Sequence, residues 1–334
     1  MSTVAVVGAT GAVGRAMVSI LSERKFPLEE LRLMASSRSA GTVVETPWGA
    51  VGVEDLENAD LSGIDIALFS AGGDRSRAFA SRFVEAGAMV VDNSSAFRMQ
   101  DDVPLVVVGV NDHAIGDHKG IVANPNCTTM DLMMAAGPLH RSFGLTSMVA
   151  STYQSVSGSG QRGVAELLRQ TEVLGKDPDA LIGGEWIDPG SEVYTRPIAF
   201  NVLPFAGNAD ADGYTDEEWK LVHESRKILE HPDLPVEPTC VRVPVLAGHG
   251  ISVTMRFSEP VDPDKAAAVL TEAPGLELWQ DKTPTALDSA GRDEVLAGRL
   301  RPTIGEPGGI NLWVVGDNLR KGAALNAVQI AEKL

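Results

Sequence analysis

The run Asn124-Pro125-Asn126-Cys127-Thr128-Thr129 sets one of only two cysteines where an apolar helical pattern begins. The first turn of a helix leaves N–H groups without partners and carries the positive end of the helix dipole, and both favour a thiolate. The expectation is a nucleophile with a lowered pKa at Cys127. On local grounds a small buried apolar residue accounts for it equally well, and Cys240, which lacks such a setting, takes that second reading. A nucleophilic thiol needs a proton carrier. Of the six histidines, His249 sits between Gly248 and Gly250, where another group can come close. His113, His118, His140, His223 and His231 lie in ordinary polar loop or helix contexts, and a lone histidine is more often packing or surface than base.

A second cluster suits an anion. Gly8-Ala9-Thr10-Gly11-Ala12-Val13-Gly14 follows the apolar run Val4 to Val7 and opens a helical pattern. Small residues at that junction bring backbone N–H groups up to a pyrophosphate at a helix N-terminus. Gly8, Thr10, Gly11, Ala12 and Val13 are therefore candidate dinucleotide contacts. A tight turn needing glycine for steric reasons alone is the plainer account, and the position after the first strand favours binding. At the end of the second strand, where an NAD site places Asp or Glu on the ribose, the chain has Ser36-Ser37-Arg38-Ser39. An arginine among hydroxyls suits a 2′-phosphate, which predicts NADP.

These groups need elements to hold them. Short apolar strands at Val4–Val7, Leu31–Ala35, Ile64–Phe69 and Ala88–Val91 alternate with helical patterns at Arg15–Leu21 and Asp74–Ala86. That alternation predicts a Rossmann-type doubly wound parallel sheet, with Ser70, Ala71 and Gly72 at the strand ends where ligands bind. Past Cys127 the rhythm changes to an α+β pattern: a helix over 128–143, a strand over 145–154, and loops rich in Gly and Pro over 175–213. A capping box follows at Thr215-Asp216-Glu217-Glu218, with Pro232 ending the helix it opens; paired strands over 241–257 and a final strand and helix complete the chain. The predicted division is a nucleotide domain (1–126), a catalytic and dimerisation domain (127–313), and a C-terminal strand end and helix (314–334) returning to the first. At 334 residues each domain can bury its own core.

A net charge of −17 argues against nucleic acid and anionic membranes as partners. Without a disulfide framework, a signal-like start or an apolar run long enough to span a bilayer, the chain is expected in the cytoplasm. No His, Cys and carboxylate cluster has the spacing of a metal site.

Five motifs in order give the chain a wider resemblance: the Gly8–Gly14 turn, Asn124–Thr129, Gln154-Ser155-Val156-Ser157-Gly158-Ser159-Gly160, Arg242-Val243-Pro244-Val245 with Gly248-His249-Gly250, and Asp317-Asn318-Leu319-Arg320-Lys321-Gly322-Ala323-Ala324. Together they resemble the aspartate-β-semialdehyde dehydrogenase family over essentially the whole chain. The resemblance implies that Cys127 attacks the acyl phosphate of β-aspartyl phosphate to form a thioester, which NADPH reduces to aspartate semialdehyde. This step belongs to the biosynthesis of lysine, threonine, methionine and isoleucine. It further implies that His249 is the acid/base, able to take the thiol proton, and that Gln154 orients substrate or catalytic groups.

Arg242 suits the substrate carboxylate because a guanidinium pairs with it two-pronged. By resemblance Glu217 faces the amine, Lys220 the phosphate, and Arg98 and Asn126 complete the phosphate site. On the residues alone, Glu217 and Lys220, three apart on one helix, read as an ordinary ion pair, with Glu218 as the cap. Ser157, Gly158 and Asn318 are expected near the nicotinamide, and a homodimer is expected from the resemblance and the loop-rich stretch. The alternatives are N-acetyl-γ-glutamyl-phosphate reductase, which shares the thioester logic, and a non-catalytic NADP-binding protein on the same fold.

Overall fold

A computed structural model describes residues 1–334 as two α/β lobes. In the first lobe the elements run β1 (Ser2–Val7), α1 (Ala12–Glu23), β2 (Leu28–Ala35), β3 (Val43–Thr46), β4 (Gly49–Asp55), β5 (Ile66–Phe69), α2 (Gly73–Glu85), β6 (Met89–Asp92) and β7 (Ile121–Ala123). They form one sheet in the order β3-β4-β2-β1-β5-β6-β7. Every pairing is parallel except the β3–β4 hairpin. Val4 to Val7 and Ile66 to Phe69 are buried throughout, as strands covered on both faces must be. The chain leaves β1 toward β2 on one side and β5 lies on the other, so the crevice at a topological switch point opens beside Gly8 and Ser70.

The second lobe begins with α3 (Cys127–Phe143), β8 (Leu145–Gln154), α4 (Gly160–Leu174), α5 (Pro178–Gly183) and α6 (Asp216–Ile228). It continues through β9 (Val236–Arg242), β10 (His249–Phe257), α7 (Pro263–Thr271), β11 (Leu276–Trp279), α8 (Ala286–Ser289), β12 (Val295–Pro302) and β13 (Ile310–Gly316). Its mixed sheet has the order β11-β12-β13-β10-β8-β9. Thr128 through Leu139 of α3 are all buried, because this helix packs on β8, β10 and β13 while α6 and α7 cover it. After Gly316 the chain makes one π-helical turn (Arg320–Leu325) and closes with α9 (Asn326–Ala331). Ala324, Leu325, Val328 and Ile330 there share a hydrophobic core with Val4, Met17, Leu21 and Leu33. No helix is long and apolar enough to cross a membrane.

Four readings of the sequence differ from this architecture. The β3–β4 hairpin was not anticipated: of its residues only Val53 is buried, so little apolar pattern marks it. The strands expected to pair over 241–257 do not touch: β8 lies between them, parallel to β9 and antiparallel to β10. The stretch 175–213 is irregular as expected, apart from the short α5, which Asp177 caps and Pro178 starts. Helix α6 stops at Ile228, before Pro232, and Glu230 in the left-handed region turns the chain.

Candidate active site

The Gly8–Gly14 turn is built by backbone contact. Gly8 adopts φ +90°, and a Cβ there would overlap the Ser70 carbonyl oxygen; one on Gly14 would overlap the carbonyl of Gly8. Helix α1 has Gly11 as N-cap, no side-chain cap and no acidic residue in its first turn. The amides that open this helix are therefore left for a ligand. Gly8, Thr10, Gly11, Ser36, Ser70 and Ala71 wall one cavity, together with Arg75, which the sequence reading had not singled out. Ser37, Arg38, Ser39 and Gly72 stand outside its walls; Ser37 and Arg38 are exposed in a turn where the Ser39 amide donates to Ser36 O at 2.8 Å. An adjoining cavity of about 280 Å³ shares Gly11 and Ser70, adds Ala12 and Val13, and runs on to Arg98, Asn126, Cys127, Ser157, Gly158 and Asn318. One trough thus joins the glycine turn to the thiol. These features fit a dinucleotide: uncapped amides for its phosphates, and no carboxylate at the end of β2.

At the thiol end, Asn126 caps α3 by accepting from the amides of Thr128 (3.0 Å) and Thr129 (3.3 Å). The Asn126 backbone amide donates to Glu224 (2.6 Å) and its side-chain amide to Glu217 (3.0 Å). The helix start that favours a thiolate is opposed by the surroundings of Cys127. Burial, then the carboxylates of Glu217 and Asp131, push the Cys127 thiol up to about 12, against weaker opposition from Arg242 and Thr128. A helix start acts only over its first turn, and here desolvation outweighs it. Burial raises Cys240 to about 12 as well, so access, not acidity, distinguishes the two: Cys127 lines the trough, whereas Cys240 is buried on β9.

Glu217 and Lys220 are joined in the ion pair expected from their spacing, at 2.7 Å. Burial raises the Glu217 pKa, but Lys220, Arg242 and Asn126 together more than offset it and hold the carboxyl below its usual range. Burial lowers Lys220, and Glu217 with Asp216 reverse that to leave it raised. Glu218 completes the capping box with Thr215 and also accepts from the Cys240 amide at 2.9 Å, which fixes α6 on β9.

Arg98 is buried and largely committed to the protein. It donates to Glu224 (2.8 Å), Asn124 O (2.9 Å) and Asn93 O (3.0 Å). A guanidinium has five N–H groups, so part of its donor set stays free on the trough side. Glu224 was missed in the sequence, although it falls seven residues after Glu217 and so on the same face of α6. One of its oxygens holds Arg98 and the other Asn126.

Arg242 and His249 lie behind Gly158. A Cβ on Gly158 would stand 3.0 Å from Arg242 Nη1 and 3.3 Å from His249 Nε2. Arg242 donates one bond, to Ser155 O at 3.2 Å. His249 is fully buried; burial and Arg242 drive its pKa down to about 3, with Glu217 opposing. Its Nδ1 faces the Ser155 amide (3.0 Å) and hydroxyl (3.1 Å), while Nε2 has no partner. Nε2 is thus the ring nitrogen left open toward Gly158 in the cavity wall. Ser155 itself was read only as part of a turn. Asn318 ties the region together: its Oδ1 accepts from Ser155, Ser157 and the Gly248 amide. Gln154 is buried and donates only to Thr152 (3.3 Å); its Oε1 is unpartnered, and no bond links it to Cys127 or His249.

One buried group carries no ligand-facing role. Asp131, one turn after Cys127, lies against Gly316 with both oxygens unpartnered. Burial, reinforced by Asp317 and only partly relieved by Lys321, holds its pKa well above the carboxylate range. Lys321 is pushed down to about 7 by burial while its ammonium donates to Val108 O, Asn326 and Gln329. No group of three or more His, Cys, Asp or Glu side chains is placed to hold a metal ion.

Residues 3–118 match the semialdehyde dehydrogenase NAD-binding domain, and residues 137–321 the semialdehyde dehydrogenase dimerisation domain. The chain is 54% identical to an aspartate-semialdehyde dehydrogenase of Streptomyces akiyoshiensis, over 98% of this chain and 97% of that one. A crystal structure of aspartate semialdehyde dehydrogenase II from Vibrio cholerae, complexed with ASA, superposes with a TM-score of 0.93 at 43% identity, covering 99% of this chain and 97% of that one. The Candida albicans aspartate semialdehyde dehydrogenase with NADP superposes with a TM-score of 0.76 at 25% identity, covering 100% and 98%.

Proposed function

The chain belongs to the aspartate-semialdehyde dehydrogenase family, and from that premise we propose that it reduces β-aspartyl phosphate to aspartate β-semialdehyde through a thioester on Cys127. The observation that carries this reading is the single trough joining the Gly8–Gly14 turn to Cys127, with Arg98, Asn126 and Gly158 in its wall. An oxidoreductase with a NAD(P)-binding domain needs its nucleotide and its acyl group within reach of one another, and the trough supports that. N-acetyl-γ-glutamyl phosphate is disfavoured as substrate by the relatives, and a non-catalytic role by the joined site.

Each residue has a task in this proposal. The amides of Ala12 and Val13 hold the pyrophosphate, with Gly8 and Gly11 leaving room for it, and Thr10, Ser70, Ala71, Ser157, Gly158 and Asn318 line the rest of the nucleotide's path. We assign NADP rather than NAD because Ser36 ends β2 without a carboxylate, and the exposed Arg38 and the trough-wall Arg75 supply positive charge there. Bound NADPH supplies the hydride that reduces the thioester carbon. Arg242, with most of its donors unspent, holds the substrate carboxylate. Glu217 exchanges Lys220 for the substrate ammonium, and Lys220, Arg98 and Asn126 hold the phosphate. His249 is the acid/base that takes the thiol proton, and Gln154 orients the substrate or the catalytic groups through its amide.

We place this activity in the cytoplasm, in the biosynthesis of lysine, threonine, methionine and isoleucine. The working division stays at 1–126, 127–313 and 314–334. A homodimer is supported by the dimerisation-domain match and by Val149 and Tyr153, left exposed on the second sheet. The test is NADPH formation from aspartate semialdehyde and NADP, with and without inorganic phosphate, and with N-acetyl-glutamate semialdehyde in parallel. Phosphate-dependent turnover of the first aldehyde is expected. Turnover of the second alone would move the substrate, and silence with both from folded, NADP-binding protein would remove the enzymatic reading.

A further inference from the structure

Helix α6 turns one face to the thiol end of the trough. Glu217, Lys220, Glu224 and Lys227 recur at spacings of three, four and three, so they form one line along it. The first two are the pair beside Asn126. The other two reach Arg98. Glu224 accepts from Arg98 Nη1 at 2.8 Å, with both side chains buried. One turn on, the Lys227 ammonium donates to Arg98 O (2.9 Å), Gln100 O (2.7 Å) and Val103 O (2.8 Å). Helix α6 therefore grips Arg98 at both ends, the guanidinium by a carboxylate and the carbonyl by an ammonium.

That grip leaves Arg98 a defined donor. Each guanidinium nitrogen spends one hydrogen: Nε on Asn124 O, Nη1 on Glu224 and Nη2 on Asn93 O. One N–H stays on each Nη, a two-pronged set of the kind a phosphate takes. Arg98 stands in the cavity wall with Cys127, whereas Glu224 and Lys227 do not line that cavity. The second Glu224 oxygen accepts at 2.6 Å from the amide of Asn126, the residue before the thiol. One buried carboxylate thus spans the guanidinium and the start of the nucleophile's helix.

We infer that Glu224, backed by Lys227, is a positioning residue that sets Arg98 at a fixed distance from Cys127, so that a phosphate on Arg98 stands within reach of an acyl group on the thiol. This rests on the acyl-phosphate reading above. Run toward NADPH, the reaction divides into a half that needs this spacing and a half that does not. Cys127 adds to the aldehyde carbon, hydride passes from that carbon to NADP, and a thioester, NADPH and one proton result before phosphate is needed. A hydrogen phosphate oxygen then bonds to the thioester carbon, the C–S bond breaks, and the proton shed by the phosphate ends on the sulfur. Only this second half uses Arg98.

Glu224→Asp keeps the charge and withdraws the carboxylate by about one bond length, so it cannot hold Arg98 and the Asn126 amide together. The phosphate concentration for half-maximal turnover should rise about 10- to 30-fold, while the single burst of NADPH formed without phosphate keeps its rate and size within about 2-fold. Lys227 is only partly buried, so Lys227→Met tests the same grip at a more tolerant position. It should raise the phosphate constant about 3-fold, and Lys227→Arg, which still donates to carbonyls, should restore it. A burst that falls as far as the phosphate-dependent rate would mean that Glu224 only holds the fold. An unchanged phosphate constant would mean that it does not set Arg98. The site is also readable without turnover, from the inorganic phosphate that half-protects Cys127 against iodoacetamide. That concentration should rise about 10-fold in Glu224→Asp at an unchanged rate of unprotected alkylation. Protection in the parent without phosphate-dependent turnover would overturn the substrate reading and leave Glu224 to be judged by protection. Equal protection in parent and variant, or none in the parent, overturns the inference itself.

Discussion

The two ends of the trough are built in opposite ways. At the nucleotide end the protein offers backbone: a left-handed Gly8, an uncapped α1, and carbonyls too close for any Cβ. At the thiol end it offers side chains from α3, α6, β8, β9 and β10, several of them held by partners distant in sequence, such as Asn126 on Glu217 or His249 on the Ser155 amide. The first kind of site tolerates little change in residue size and is indifferent to charge. The second tolerates changes of size better and depends on which charges are paired.

The sharpest way to test that contrast is to remove the nucleophile. Cys127→Ala should lower turnover by about 10⁴-fold or more while NADP affinity, read by fluorescence titration, stays within about 2-fold. A joint loss would mean the two ends are not separable. Gly8→Ala attacks the other end: a side chain at φ +90° against Ser70 should abolish measurable NADP binding and lower the Tm by several degrees, roughly 2 kcal/mol or more. Retained binding would show that the turn can relax.

Arg242→Lys keeps the charge and loses the fork. The KM for aspartate semialdehyde should rise about 10- to 30-fold with NADP affinity unchanged, and an unchanged KM would remove Arg242 from the substrate site. The smallest effect is expected at Asp131. Its folded pKa is raised, so the folded chain keeps a proton that the unfolded chain has lost once pH exceeds the ordinary carboxylate range. Stability from this group is present at about pH 4 and falls as pH rises toward the folded pKa. The Tm of Asp131→Asn relative to the parent should therefore improve from about pH 4 to about pH 8; a pH-independent difference would mean that the carboxyl is not strained.

The same contrast decides what could be read in advance. The glycine turn, the strands beside it and the Thr215–Glu218 cap are local arrangements, and their residue types show them. Cys127 and His249 were visible as candidates, but their protonation was not. Burial sets it first, and among the groups that act on the two, Glu217 reaches Cys127 and Ser155 reaches His249 from elsewhere in the chain, Ser155 from 94 residues away. Glu224 shared a visible helix face with Glu217 yet gave no sign of its partners, Arg98 and Asn126, which lie 126 and 98 residues off. The order of the second sheet was hidden for a related reason: strands adjacent in sequence are separated in space by β8.

The chain crosses from the first lobe to the second between β7 and α3, and returns after Gly316 to bury Ala324, Val328 and Ile330 beneath α1. The two crossings are not the whole join, for Val7 and Phe69 of the first lobe belong to one continuous core with Met130 and Val253 of the second. The glycine turn and the thiol are therefore anchored in a single packed interior, and a void opened in either lobe is felt at both ends of the trough.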